Sequence, residues 1–224
     1  MGLLRWLFGR KGPSISGGFL ADRNLARVLD CVLEGCEYVV GAGAGAPETV
    51  VALARRHPHK ECLACEPSSE KCFELENAAE GLKNVYMHNA APGRFLDLLA
   101  ADKPYLFGRD VLFLLSAAGG GAERRFFEEV GFVAGSFQAA FLSIHGFRVP
   151  EREDFDYDSQ RGRECSLKNV GPLLTASEHT LHFPAYAVRA SRKRRYKGWC
   201  LASMGRNAEF SFPGDVKTLL SKPE

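Results

Sequence analysis

The chain has 224 residues, of which 46% are hydrophobic and 25% charged, with a formal net charge of +2. That length sustains one sizeable core or two small ones. The near-neutral balance excludes a global pull toward nucleic acid or acidic lipid, so any basic patch must be local.

Residues 1–18 read as a flexible lead-in broken by Gly9, Gly12, Pro13, Gly17 and Gly18. The apolar run Leu3 to Phe8, interrupted by Arg5, is too short for a secretory h-region or a membrane span. With no such leader, the seven cysteines (Cys31, Cys36, Cys62, Cys65, Cys72, Cys165 and Cys200) are expected as free thiols in a reducing cytoplasm. From Phe19 to Leu33 the residues Leu25, Val28, Leu29, Val32 and Leu33 recur at helical spacing. A regular alternation follows: a strand at Tyr38 to Val40, a helix from Pro47 to His57, and a strand from Glu61 to Cys65 ending at Glu66. Then come a helix from Ser68 to Ala79 with Ser68 or Ser69 as its cap, a strand from Asn84 to His88 and a short helix from Gly93 to Ala100. A strongly apolar strand from Asp110 to Leu115, a helix from Gly121 to Val130 and a strand from Phe137 to Ile144 complete the series. Two further strands are expected at Thr180 to Phe183 and Trp199 to Ser203, joined by a basic hairpin over 189–197. Residues 207–224 read as a tail with one short helix near Val216 to Leu220, leaving 19–206 as the domain.

Alternating strands and helices imply right-handed βαβ crossovers. The expected fold is therefore α/β: a Rossmann-like, doubly wound, mainly parallel sheet of about seven strands with helices on both faces. Runs such as Val111 to Leu115 fit strands buried on both sides. The pair Cys62 and Cys65 has metal or redox spacing. Strand alternation, however, puts residues three apart on opposite faces, and no second such pair stands at finger spacing. No metal is expected.

The loop Gly41-Ala42-Gly43-Ala44-Gly45-Ala46 follows the first strand and opens a helix, where glycines let the backbone turn and approach a ligand. It also satisfies G-x-G-x-x-A, so a dinucleotide fits the pattern. Glu66 closes the next strand at the spacing expected of a carboxylate that accepts hydrogen bonds from ribose hydroxyls. Glu48, in the first turn of the helix after the loop, suits the helix dipole and would repel a docked pyrophosphate. S-adenosylmethionine (SAM) carries no phosphate and two cationic groups, so the loop favours SAM over NAD. Asn89-Ala90, Ser116-Ala117 and His145-Gly146 close the third, fourth and fifth strands and belong to the same crevice.

These residues resemble the class I SAM-dependent methyltransferases: VVGAGAG, CLACEP and NVYMHNAAPG stand in that family's order and spacing, over roughly residues 37 to 204. FLSIHGFRVPEREDFDYD, LHFPAY and RRYKGWCLAS are similar to a narrower bacterial methyltransferase-like group. The resemblance implies that Gly41, Ala42, Gly43 and Gly45 approach the methionine part of SAM, that Glu66 holds the ribose, and that Asn89 and Ala90 flank the adenine, with Ser116 beside them. The chain departs from the pattern at three places. Val39 stands where the family has an acidic residue before the loop, Ser116 where the narrower group has an aspartate, and His145-Gly146 where it has an acidic pair.

Methyl transfer to an activated sulfonium draws much of its rate from proximity and alignment. Where an acceptor must lose a proton, His145 is the candidate base, because imidazole titrates near neutrality. Asp154, Asp156, Tyr157 and Asp158 form an acidic loop, read either as a solvated segment or as a cover for the pocket. The run Arg192 to Arg195 with Tyr196 and Lys197 is an exposed hairpin or a phosphate-binding patch. No Ser/His/Asp triad or HExxH signature is present. Three readings follow: a methyltransferase acting on a small-molecule or sugar-derived acceptor, a catalytically weakened SAM-fold binding protein, and an NAD(P)-dependent oxidoreductase. The expected partners are a small-molecule substrate and, in assembly, a second copy of the chain as a homodimer. Neither nucleic acid nor a membrane span is expected.

Overall fold

The computed structural model describes residues 18–118, 125–176, 178–186, 196–210 and 216–221, the last of these as backbone. A 3-10 turn over Gly18–Ala21 leads into helix α1 (Arg23–Gly35). Asp22 caps α1 by accepting from the backbone N–H groups of Asn24 and Leu25, satisfying donors that have no partner inside the helix. The five apolar residues read as a helical stripe are all buried.

Strand β1 (Tyr38–Ala42), helix α2 (Ala46–Arg56), strand β2 (Glu61–Cys65), helix α3 (Ser69–Ala78), strand β3 (Val85–His88), helix α4 (Pro92–Asp102), strand β4 (Val111–Ser116), helix α5 (Phe126–Ser136) and strand β5 (Ala140–His145) then alternate. An insertion follows, holding β6 (Phe155–Asp156), β7 (Ser159–Gln160), β8 (Arg163–Glu164) and the one-turn α6 (Leu167–Val170). Strands β9 (His179–Pro184), β10 (Tyr196–Lys197), β11 (Trp199–Met204) and β12 (Val216–Ser221) complete the described elements.

Eight strands form one sheet in the order β12-β9-β11-β5-β4-β1-β2-β3. The pairs β1–β2, β1–β4, β2–β3 and β4–β5 are parallel. Strand β11 runs antiparallel between β5 and β9. The chain winds outward in both directions from the β1–β4 neighbours, and the loop after β1 lies at that switch point. One face carries a core of α1 and α2 side chains with Phe141, Trp199 and Leu201; the other carries Phe95, Phe113, Phe126, Val130 and Phe183 with α4 and α5. Cys62 belongs to the first core and Cys65 to the second, as strand alternation requires. The doubly wound α/β expectation is thus met.

Three local expectations are corrected. Val216 to Leu220, read as a helix, is strand β12, which pairs antiparallel with β9 and makes the sheet eight-stranded. The five residues Val216 to Leu220, with Lys217 and Thr218 among them, are too few to have a period that separates the two states, and an open sheet edge decides it. The helix expected at Gly121 to Val130 continues to Ser136. Burial of Phe126, Val130 and Val133 on one stripe outweighs the helix-weakening Gly131 and Gly135; residues 119–124 lie outside the described residues. The basic stretch 189–197 was read wholly as a hairpin. Tyr196–Lys197 instead pairs in parallel with β6, while 187–195, including Arg192 to Arg195, lie outside the described residues, as do residues 1–17 of the lead-in. No described helix is long and apolar enough to cross a membrane.

Candidate functional site

The carboxyl ends of β1 to β5 converge on one rim. Each of β1, β3 and β4 is followed by small residues: Gly43-Ala44-Gly45, Ala90-Ala91 and Ala117-Ala118. Small side chains there leave a crevice that a ligand backbone can enter.

The glycine loop is shaped by its neighbours. A Cβ on Gly41 would lie 2.5 Å from Val50 Cγ2, so this position lets α2 pack close to β1. Gly43 and Gly45 have φ of 95° and 78°, and Gly45 is the N-cap of α2. Gly45 stands back to back with Gly18: a Cβ on Gly45 would come 2.7 Å from Gly18 Cα, and one on Gly18 would come 2.4 Å from Gly45 O. Thr49 Oγ1 donates to Gly45 O at 2.7 Å and fastens the turn. Gly18 therefore packs on the loop, a role invisible in a residue read as the end of a flexible lead-in, and Phe19 to Ala21, read as the start of a helix, form a 3-10 turn with it.

Two carboxylates attend the loop. Glu66, 9% exposed, follows β2; its Oε1 accepts from Ser68 N–H at 2.9 Å, and Oε2 carries no such bond from the described residues. Glu48, in the first turn of α2, has a buried Oε2 without a hydrogen-bond partner among the described residues. No basic side chain stands between Gly41 and Glu48. Two carboxylates, with no basic residue within the loop stretch itself, suit a ligand carrying positive charge and hydroxyl groups, and oppose a pyrophosphate.

Asn89 is exposed, but its side chain is engaged. Nδ2 donates to the carbonyls of Glu66 (2.9 Å) and Pro67 (3.3 Å), and Oδ1 accepts from Ser69 Oγ (3.1 Å). It pins the segment bearing Glu66 to the end of β3. Ala90 N–H closes a turn onto His88 O. Ser116 is buried, accepts from Ala118 N–H through Oγ at 3.2 Å, and lies opposite His145 in the sheet register. Val39 is wholly buried in the α1–α2 core, so the position before the loop presents no side chain to a ligand.

His145 ends β5 with its ring centroid 5.0 Å from that of the buried Phe19. Its ring makes no hydrogen bond with a described residue, while its carbonyl accepts from Ala117 N–H at 3.2 Å. Burial pulls its imidazole down to about 4, with Lys197 acting in the same direction and Asp158 and Asp22 opposing. This corrects the expectation of titration near neutrality: the ring is neutral at pH 7 and a weak base.

Asp158 reaches the end of β5 from the insertion. Its N–H donates to Gly146 O at 2.8 Å, and its Oδ1 pairs with Lys197 Nζ. Gly146 has φ of 80°, and a Cβ there would fall 2.1 Å from Asp158 Oδ2; glycine is needed for the carboxylate to dock. A second chain of contacts closes the rim: Tyr186 Oη donates to Asp22 Oδ2 and accepts from Trp199 Nε1 at 2.9 Å. Asp158 belongs to the acidic loop that the sequence offers as a cover for the pocket, whereas Asp22, Tyr186 and Trp199 are not sequence candidates for this rim. Only the N-cap pattern of Asp22 left a local signal. Asp154, in the same acidic loop, is held by two bonds from Arg152, at 2.6 and 2.7 Å. Among the described residues, no group of three or more His, Cys, Asp or Glu side chains could hold a metal ion.

No protein-family model matches the chain, and no curated protein matches its sequence. Solved structures do. EvdMO1 is 20% identical with a TM-score of 0.51 over 81% of this chain and 40% of that one, so the chain spans about 40% of EvdMO1's length. The N-terminal domain of EvdMO1, crystallised in the presence of SAH and D-fucose, is 19% identical with a TM-score of 0.51 over 85% of this chain and 84% of that one. An rRNA methylase from Streptococcus thermophilus is 13% identical with a TM-score of 0.52 over 83% of this chain and 98% of that one. The likeness establishes the fold: the chain has the Rossmann-like architecture of the class I methyltransferases.

Proposed function

We propose that this protein is a SAM-dependent methyltransferase acting on a small-molecule, sugar-derived acceptor. The observation that carries the reading is the glycine loop at the β1–β4 switch point, with Glu66 closing the neighbouring strand and no basic residue in the stretch from Gly41 to Glu48. Gly41, Ala42, Gly43 and Gly45 approach the methionine part, Glu66 Oε2 accepts from the ribose, and Ala90 with Ser116 borders the adenine. Asn89 serves chiefly by holding the Glu66 segment in place. When bound, SAM supplies a methyl group already activated on a sulfonium. The chain's own residues bind, orient and exclude water. His145 is neutral and packs its ring on Phe19 at the end of β5, and its depressed pKa makes it a poor store for a proton. The sugar-derived class rests on the fold likeness to a domain studied with SAH and D-fucose. The free cysteines support the reading of a reducing, cytoplasmic setting.

Calorimetric titration with SAM, S-adenosylhomocysteine (SAH), NAD and NADP tests the reading. SAM and SAH bind, and the nicotinamides do not. Glu66→Ala weakens SAH by roughly tenfold or more, the scale of one lost hydrogen bond to a charged group. Failure of both adenosyl compounds to bind refutes the proposal. A second reading, a binding protein without turnover, is favoured by Val39, Ser116 and His145 standing where the family has carboxylates. Binding of SAH with no methyl transfer to any glycoside would select it.

A further inference from the structure

Beside the end of β5 the insertion encloses a cavity of about 630 Å³, within the range of small-ligand sites. Its floor is fixed to the rim. Arg148 N–H donates to Cys165 O at 2.7 Å, and Tyr157 immediately precedes Asp158, the residue docked on Gly146. The charged side chains lining it are Arg148, Arg152 and Lys168 against Glu151, Glu153, Asp156 and Glu164. Among the described lining residues, three positive charges thus stand against four negative ones.

The floor is organised around one aromatic ring. Tyr157, 40% exposed, donates through Oη to Glu164 Oε1 at 3.2 Å. Arg148 pairs with Glu164 Oε2 at 2.6 Å and lies 5.2 Å from the centre of the Tyr157 ring. The guanidinium covers one face and the carboxylate fixes the hydroxyl, so the ring is a rigid platform with hydrogen-bond donors and acceptors at its edge. A flat apolar face rimmed by a carboxylate and a guanidinium matches a neutral sugar ring. Its C–H face stacks on the aromatic, and its neighbouring hydroxyls both donate and accept.

We propose that this cavity is the acceptor site and that it takes a neutral pyranose ring on Tyr157, with Arg148 and Glu164 bonding its hydroxyls. The assignment rests on the methyltransferase reading above and adds the location and charge of the acceptor.

Saturation-transfer NMR on the full chain with SAH present tests it, using methyl α-D-glucopyranoside, methyl α-L-rhamnopyranoside and glucose 1-phosphate as probes. At least one neutral glycoside binds, and more tightly than the phosphate. Tyr157→Ala weakens it roughly fivefold to tenfold, the scale of one lost aromatic contact. Glu164→Gln weakens it too, Tyr157→Phe retains the stacking, and SAH affinity is unchanged in all three. The proposal is overturned if no neutral glycoside binds the SAH-loaded protein, if binding ignores Tyr157→Ala and Glu164→Gln, or if the phosphate binds more tightly. Absence of SAH binding by the unmodified chain would instead overturn the methyltransferase reading itself.

Discussion

Replacing Gly45 by alanine isolates the contact between the N-terminal turn and the glycine loop. Two costs add. The first is conformational: Gly45 has φ of 78°, where an L side chain costs roughly 1–2 kcal/mol. The second is steric: the new Cβ would stand 2.7 Å from Gly18 Cα, a backbone atom that moves only with its turn. Overpacking of this kind costs roughly 1–3 kcal/mol. Gly81 supplies the control, with φ of 84° and nothing within 4 Å of its would-be Cβ. Gly81→Ala should therefore lose about 1–2 kcal/mol and Gly45→Ala about 2–5 kcal/mol. Each kcal/mol corresponds to a drop in Tm of roughly 2–4 °C at this size. Urea unfolding of both variants, followed by tryptophan fluorescence, reads the difference directly. Trp199 reports it well, because its Nε1 bonds Tyr186, which in turn bonds Asp22 next to the same turn. Equal losses in the two variants would show that Gly18 does not pack on Gly45 and would remove the N-terminal turn from the wall of the site.

Acidification should destabilise the fold between about pH 6.5 and 4. Burial holds both His145 and His182 near 4 in the folded chain against 6.5 as the unperturbed value. The unfolded chain therefore protonates first as pH falls, and stability drops by roughly 1.4 kcal/mol per pH unit for each histidine in that window. His145→Asn should flatten the slope seen in unfolding titrations at pH 7.5, 6 and 5; an unaltered slope would contradict its burial. Tyr186→Phe leaves Trp199 Nε1 and one oxygen of Asp22 without their shared partner and should lose roughly 1–3 kcal/mol. Asp22→Ala combined with it should then lose less than the sum of the two single changes, and strict additivity would deny the chain of contacts. Gly146→Ala, whose Cβ would overlap Asp158 Oδ2, should expel the Asp158 side chain and free Lys197 Nζ. A crystal structure with Asp158 still seated would contradict this.

The alternation of strands and helices, the glycine loop and Glu66 were legible in the sequence for a common reason. Each is written in residues that are neighbours along the chain, as a period, a turn or a strand end. The same locality explains the failures. Val216 to Leu220 is too short to have a period and took its state from the free edge of β9. His145 looked like a base because its environment is contributed by Phe19, Asp22, Asp158 and Lys197, none of them adjacent to it in sequence. Asp158 sits 12 positions after the glycine that receives it, and Tyr186 lies 164 positions from Asp22.

The sequence by itself determined the Rossmann-like architecture and the place of the loop within it, because hydrophobic periodicity and glycine turns act over a few residues. Only the tertiary structure decided what surrounds that loop. Gly18 on Gly45, Asp158 on Gly146 and the platform of Tyr157, Arg148 and Glu164 depend on burial and contacts between distant segments. Those contacts set the charge state of His145 and the geometry of the rim around it, properties that no local pattern encodes.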